Sequence, residues 1–164
     1  MCGIFGISVG KNTRFSPRQF KSSCNRLFRL SESRGKEASG LAILTADKIA
    51  IYKNNIPAGQ LTRHKKYHDL FSFAWGDKKS PFKYSENPVI AVGHSRLVTN
   101  GSQESYGNNQ PVVKDGAMAV HNGIIVNIDR LWSRYPDLER HFEVDTEIIL
   151  SLIAKFYQEN KSLR

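Results

Sequence analysis

Cysteine is scarce in this sequence, since Cys2 and Cys24 are the only two among 164 residues. Two thiols cannot form a disulfide framework, so we expect a reducing compartment and a cytoplasmic protein. Long apolar runs are also missing, because no stretch approaches the roughly 20 apolar residues of a membrane-spanning helix. Nothing after Met1 combines a basic start with a long apolar segment, so we expect neither a secretory signal nor a membrane partner.

Acidic residues are outnumbered, with 15 Asp and Glu against 24 Lys and Arg, which gives a net charge of +9. The basic residues are dispersed, and no helix-turn-helix, zinc-finger or RNA-recognition motif is present. We therefore expect no nucleic-acid partner and assign the surplus charge to a solvated surface or to anionic small molecules. His64 and His68 stand four residues apart but lack a third ligand, so we also expect no metal ion.

A length of 164 residues fits a single domain of 1–164, and hydrophobic periodicity predicts both strands and helices in it. Apolar runs predict strands at 4–9, 41–44, 49–52, 89–94 and 117–120. Helical spacing predicts helices at 59–74, 128–135 and 145–159, and one of about four turns that begins with Ser16 as N-cap and Pro17. Cys24 lies on the apolar stripe of that helix and is interpreted as a core residue. Polar segments at 33–40, 76–88 and 107–111 are predicted loops.

The amino terminus carries the strongest chemical signal. If Met1 is removed, Cys2 holds both a thiol, with a pKa of roughly 8.5, and a free α-amine, with a pKa of about 7.7–8.0. A nucleophile and its candidate general base then belong to one residue, directly or through one water. The apolar run that follows predicts a buried strand that would fix the terminus. The alternative is that Cys2 is a small core residue.

Four other residues fit the chemistry of an amide substrate with an amino-acid head group. Asn122 and Gly123 offer N–H donors to a tetrahedral oxyanion, although Asn-Gly is also a common turn. Arg96 offers a bidentate fork to a carboxylate, although it also fits a surface arginine. Asp145 offers a countercharge to an ammonium group, although it also fits a helix N-cap that bonds backbone N–H groups near 147–148.

Five short blocks resemble those of the class II glutamine amidotransferases, the N-terminal-nucleophile glutaminase domains. In chain order they are Met1-Cys2-Gly3-Ile4, Arg34-Gly35-x-x-x-Ser39-Gly40, Gly93-His94-Ser95-Arg96-Leu97-Val98-Thr99-Asn100-Gly101, His121-Asn122-Gly123-Ile124-Ile125 and Asp145-Thr146-Glu147. The last two blocks most resemble the glutaminase half of glucosamine-6-phosphate synthase. Asn109-Gln110-Pro111 is instead similar to the amidophosphoribosyltransferase type.

This resemblance implies an α+β fold, an αββα sandwich of antiparallel sheets, of which residues 1–164 would be the N-terminal part of a longer glutaminase domain. It implies hydrolysis of the glutamine side-chain amide through a γ-glutamyl thioester, with ammonia delivered to a synthase domain or subunit in amino-sugar or related biosynthesis. It implies L-glutamine as substrate and no cofactor. The implied roles are nucleophile for Cys2, oxyanion hole for Asn122 and Gly123, α-carboxylate binding for Arg96, α-ammonium binding for Asp145, the substrate site for Thr99 and support of the loop near the cysteine for Arg34.

Two positions depart from the sugar-synthase pattern. Leu97 and Asn100 occupy positions where that type has tryptophan and histidine, which help to close the glutamine pocket. We therefore expect a change in glutamine affinity or in coupling to the acceptor. The alternative function is a catalytically silent binding or regulatory module on the same fold, in which Met1 is retained and blocks the amine.

Overall fold

The larger of the two sheets in the described part of the chain has four antiparallel strands. The computed structural model describes residues 2–75, 88–97 and 106–159. The strands are β1 (Gly3–Val9), β2 (Ala38–Leu44), β3 (Ile49–Asn54) and β4 (Val89–Arg96), and they lie in the order β1-β4-β2-β3. A two-stranded antiparallel sheet is formed by β5 (Val112–Lys114) and β6 (Ala117–Ala119). The predicted α+β class is confirmed.

The described helices are α1 (Pro17–Ser31), α2 (Ala58–Leu61), α3 (Lys65–Trp75), α4 (Ile128–Arg134) and α5 (Thr146–Gln158), with 3-10 turns at Glu32–Arg34 and Tyr106–Asn108. The predicted start of α1 is confirmed, because Gln19 N–H donates to the Ser16 hydroxyl at 3.2 Å. Ser16 N–H donates in return to Gln19 Oε1 at 2.9 Å. This reciprocal capping box satisfies two backbone donors at the helix end. No helix in the described ranges is long and apolar enough to cross a membrane.

The main core lies between the four-stranded sheet and helices α1, α2 and α3. Phe5 of β1 packs edge-on against Phe28 of α1, with 4.8 Å between the ring centroids. Cys24 is fully buried in this core, as predicted. Burial raises the pKa of the Cys24 thiol to about 12, so this sulfur stays protonated and unreactive at neutral pH.

The opposite face of the sheet carries the site described below. Successive side chains on a strand point to opposite faces. Ser95 points toward α1, where its hydroxyl bonds that of Ser31 at 2.8 Å, so His94 and Arg96 point away from it. A smaller apolar cluster of Val112, Val144 and Leu150 packs the β5–β6 hairpin against α5.

Four predictions of local structure need correction. The predicted loop 33–40 ends in strand, because residues from Ala38 onward pair with β4. The predicted helix 59–74 is two helices, with a break at 62–64. The first strand is buried on one side only, since Ile4 is exposed whereas Phe5 packs on the core. The predicted loop 107–111 is buried despite its polarity, because its side chains are hydrogen-bonded inside the protein. Residues 76–87 of the other predicted loop lie outside the described residues.

Candidate active site

A cavity of about 380 Å³ lies where β1 begins and β4 ends. It gathers five of the sequence-predicted site residues from distant parts of the chain: Cys2, Arg96, Asn122, Gly123 and Asp145. The remaining lining residues are His94, Leu97, Gln110, His121, Ile124 and Val144. Arg34 lines a second cavity, of about 430 Å³, that shares Cys2 and Asn122 with the first. Thr99 lies outside the described residues.

Cys2 is half-buried and forms part of the wall of both cavities. Its sulfur lies 3.4 Å from the backbone nitrogen of Leu97 and 3.4 Å from the Leu97 carbonyl oxygen. Cys2 belongs to neither apolar core cluster, and its sulfur contacts polar backbone atoms instead. The interpretation of Cys2 as a core residue is therefore wrong.

Asn122 pairs with the backbone of Cys2 rather than forming a turn of its own. Cys2 N–H donates to Asn122 Oδ1 at 3.2 Å, and Asn122 Nδ2 donates to the Cys2 carbonyl at 3.1 Å. Neither Asn122 nor Gly123 has the positive φ of a type I′ turn. That conformation occurs instead at Asp115 and Gly116, which join β5 to β6 with φ angles of 52° and 77°. The turn interpretation of Asn122-Gly123 is thus wrong.

Arg96 is a buried cation at the cavity wall, so the interpretation as a surface arginine is also wrong. Only 5% of it is exposed, and its Nη1 donates to Asn109 Oδ1 at 2.8 Å. Burial lowers the pKa of Arg96, while Cys2 and Glu37 act in the opposite direction. A guanidinium keeps its charge in proteins, so the cavity holds a fixed positive group suited to a carboxylate.

Lys53 is a second buried cation, which no sequence pattern had singled out. Its Nζ donates to the backbone carbonyls of Asn109, at 2.5 Å, and Pro111, at 3.1 Å. Burial, reinforced by the charge of Arg96, lowers the pKa of Lys53 to about 8. These bonds tie the segment Asn109–Pro111 to the sheet beside Arg96.

His94 is fully buried and sits on the same face of β4 as Arg96. Neither ring nitrogen has a hydrogen-bond partner among the described residues. Burial and the charge of Arg96 lower the pKa of His94 to about 4, so the ring is neutral near pH 7.

Asp145 precedes α5 but does not cap it, so the predicted bond to N–H groups near 147–148 is wrong. Its φ and ψ of −67° and −21° are helical, whereas a capping side chain needs an extended backbone. Its Oδ2 accepts from Ile125 N–H at 2.9 Å, and its Oδ1 lies 3.2 Å from His121 Nδ1. The carboxylate therefore belongs to the cavity and to the 121–125 segment.

Gln110 is a further cavity residue, to which the sequence analysis assigned no role. Its Oε1 accepts from His121 N–H at 2.5 Å, and its Nε2 donates to the His121 carbonyl at 3.0 Å. Its signals in the sequence were the likeness of Asn109-Gln110-Pro111 to the amidophosphoribosyltransferase type and a polar run before Pro111, which is equally typical of an exposed loop.

Comparison with known proteins gives a consistent set of relatives. The chain is 32% identical over 166 residues to a glutamine–fructose-6-phosphate aminotransferase (isomerizing) of Clostridium acetobutylicum, which covers 98% of this chain and 23% of that protein. The protein of the same name from Chlamydia trachomatis is 31% identical, with 99% and 23% covered. That from Sulfolobus acidocaldarius is 30% identical, with 95% and 24% covered. No family model matches the chain.

These matches run along nearly the whole chain and correspond to the N-terminal glutaminase domain of the relatives. The chain belongs to the class II glutamine amidotransferases, of the glutamine–fructose-6-phosphate aminotransferase type, as its motifs predicted. It spans about a quarter of the length of these relatives, whose whole-protein activity therefore does not transfer to it directly.

Proposed function

We propose that the chain hydrolyses the side-chain amide of L-glutamine with Cys2 as nucleophile. The observation that carries this proposal is one cavity that holds the Cys2 thiol together with the charged groups of Arg96 and Asp145. An α-amino acid presents one negative and one positive group, which these two side chains complement. A substrate held by both would direct its side chain toward the sulfur.

The reaction follows from the groups at the amino terminus. After removal of Met1, the α-amine of Cys2 takes the thiol proton, and the thiolate attacks the amide carbon. The ammonium so formed protonates the leaving nitrogen, ammonia departs, and a γ-glutamyl thioester remains. Water, deprotonated by the same amine, hydrolyses the thioester and releases glutamate.

Asn122 and Gly123 would stabilise the oxyanion of each tetrahedral intermediate. Asn122 Nδ2 carries two hydrogens, and one of them bonds the Cys2 carbonyl at 3.1 Å. The second is available to the oxyanion, beside the backbone N–H of Gly123. The shared bond would keep the donor close to the reacting carbon.

Three further roles rest mainly on the resemblance. Thr99 would line the glutamine site. Arg34 would support the loop beside Cys2, since both residues line the second cavity. Leu97 is 38% exposed at the cavity, where a tryptophan in the sugar-synthase type would cover more of the substrate. Weaker glutamine binding is the consequence we propose for this departure.

We further propose that ammonia passes to a synthase domain or subunit that aminates a sugar phosphate, in line with the names of the relatives. We also propose that the four-stranded sheet forms one half of an αββα sandwich. Its face opposite α1 carries partly exposed Ile90, Val92 and Ile51, which a second sheet would cover. The two free cysteines fit a cytoplasmic protein.

Intact-mass spectrometry of the purified chain, before and after treatment with a glutamine-analogue chloroketone, tests the function. We expect a mature chain that begins at Cys2, a single adduct and loss of both adduct and ammonia release in Cys2→Ala. Cys24→Ala is the matched control and keeps both. Retention of Met1 with no adduct and no ammonia release would favour the silent binding module.

A further inference from the structure

Gln110 connects three parts of the candidate site. Its side-chain amide pairs in both directions with the backbone of His121, through bonds of 2.5 and 3.0 Å. Its Nε2 also lies 3.2 Å from Thr146 Oγ1, in the first turn of α5. Gln110 is 8% exposed, so these bonds form away from competing water.

The bonds of Gln110 lead to the carboxylate of Asp145. Asp145 lies between the two elements that Gln110 joins: His121 bonds its Oδ1, and Thr146 follows it in the chain. The carboxylate lines the cavity and is bonded by His121 and Ile125, so its position depends on the place of the 121–125 backbone. Gln110 fixes that place.

Asn109, the residue before Gln110, contacts the positively charged group of the site, Arg96. Asn109 Oδ1 accepts from Arg96 Nη1 at 2.8 Å, and its backbone carbonyl accepts from the buried Lys53 ammonium at 2.5 Å. A side chain at Gly40 would clash with the carbonyl of Gln110 and approach Lys53 Cβ to 2.7 Å, so the segment lies directly on the sheet. Asn109 therefore contacts Arg96 itself, and the adjacent Gln110 contacts the segment that holds Asp145.

We infer that Gln110 and Asn109 are positioning residues that set substrate selectivity one charge at a time: Gln110 aligns Asp145 for the α-ammonium group, and Asn109 aligns Arg96 for the α-carboxylate. This rests on the proposed function of the cavity. We therefore expect substitutions at the two positions to weaken the binding of different sets of ligands. Removing the bonds of Gln110 harms only ligands with an ammonium group, and removing those of Asn109 harms only ligands with an α-carboxylate.

The test measures protection of Cys2 from iodoacetamide by three compounds in the full chain. L-Glutamate carries both charges, glutarate lacks the ammonium group, and 4-aminobutanoate lacks the α-carboxylate. We expect Gln110→Met to raise the half-protecting concentration of glutamate about tenfold, with less than about a twofold change for glutarate. Asn109→Leu should weaken glutamate and glutarate about tenfold and leave 4-aminobutanoate within about twofold.

Gln158→Met and Asn55→Leu make the same substitutions at exposed positions and should change none of these values. Gln110→Glu guards against a folding defect, since it keeps the acceptor for His121 N–H and loses the donors. It should show the same selectivity as Gln110→Met. Equal weakening of glutamate and glutarate in both Gln110 variants, or no weakening, would overturn the inference.

The outcome is separable from that for the proposed function, because protection requires no turnover. Glutamine hydrolysis by the wild-type chain with unselective Gln110 and Asn109 variants would overturn the inference alone. Selective protection without glutamine hydrolysis would overturn the proposed hydrolysis and support the assignment of the two positioning residues.

Discussion

Asn122 uses both polar atoms of its side chain to hold the backbone of Cys2, with bonds of 3.2 and 3.1 Å. A side-chain amide has the same donor and acceptor arrangement as a peptide group, so Asn122 acts as one residue of a neighbouring strand at the open edge of β1. A residue at a chain end is normally mobile. Here the candidate nucleophile is held in place by the residue proposed to stabilise its oxyanion.

The Asn122→Ala variant tests this double role. We expect its kcat for glutamine to fall by about 10²–10³, as for loss of an oxyanion donor, and the position of Cys2 to become less defined. Ammonia release under saturating glutamine measures the change. Asn127→Ala, at an exposed asparagine in the same segment, should retain wild-type turnover. A kcat within a few-fold of wild type for Asn122→Ala would remove Asn122 from the mechanism.

Lys53 should make the stability of the protein rise with pH in the alkaline range. Its pKa is lowered to about 8 in the folded chain from 10.5, so between these values the unfolded chain binds a proton that the folded chain does not. The cost of burying the ammonium is therefore complete below about pH 8 and is relieved as the pH approaches 10.5.

Urea unfolding at pH 8 and pH 10 should show this gain in the wild type and a smaller gain in Lys53→Met. Identical pH dependence in the two proteins would show that the Lys53 ammonium is not destabilised by burial. Lys36→Met, on a loop lysine, serves as the control and should follow the wild type.

His94 should make the protein sensitive to acid. Its pKa is lowered from 6.5 to about 4, so it contributes stability above pH 6.5 that is lost as the pH falls toward 4. Between pH 7 and pH 5 this loss amounts to roughly 2 kcal/mol. The free energy of unfolding of His94→Phe, which cannot titrate, should fall less over this interval, because the other histidines are common to both proteins. A parallel fall would contradict the neutral buried state of His94.

Gly40 is required by the approach of the Gln110 carbonyl to the sheet. A Cβ there would clash with that oxygen and would also approach Lys53 Cβ to 2.7 Å and Pro111 Cδ to 2.9 Å, which leaves little room to adjust. We expect Gly40→Ala to lower stability by at least about 2 kcal/mol, hence Tm by several degrees, and to weaken glutamine binding. Gly6→Ala is the control on the same face of the sheet, where the nearest atom would lie at an ordinary 3.8 Å. Equal Tm values for the two variants would contradict this packing.

Local sequence carries most of the secondary structure. The helix α1 follows from Ser16-Pro17 and the apolar spacing of Phe20, Cys24 and Phe28, all three of which are fully buried. Such signals involve residues within a few positions of each other, so they need no knowledge of the fold. The order of the motif blocks likewise predicted the family, which the relatives confirm.

The sequence by itself therefore determined most of the elements, the family and five residues that meet in one cavity. Only the tertiary structure decided their partners: Asp145 bonds Ile125 instead of capping its helix, and Asn109 and Gln110 are buried supports instead of an exposed loop. The physical reason is that a polar side chain bonds whichever groups the fold brings near it. For Lys53 and Asn109, 56 residues apart, no local pattern encodes that proximity.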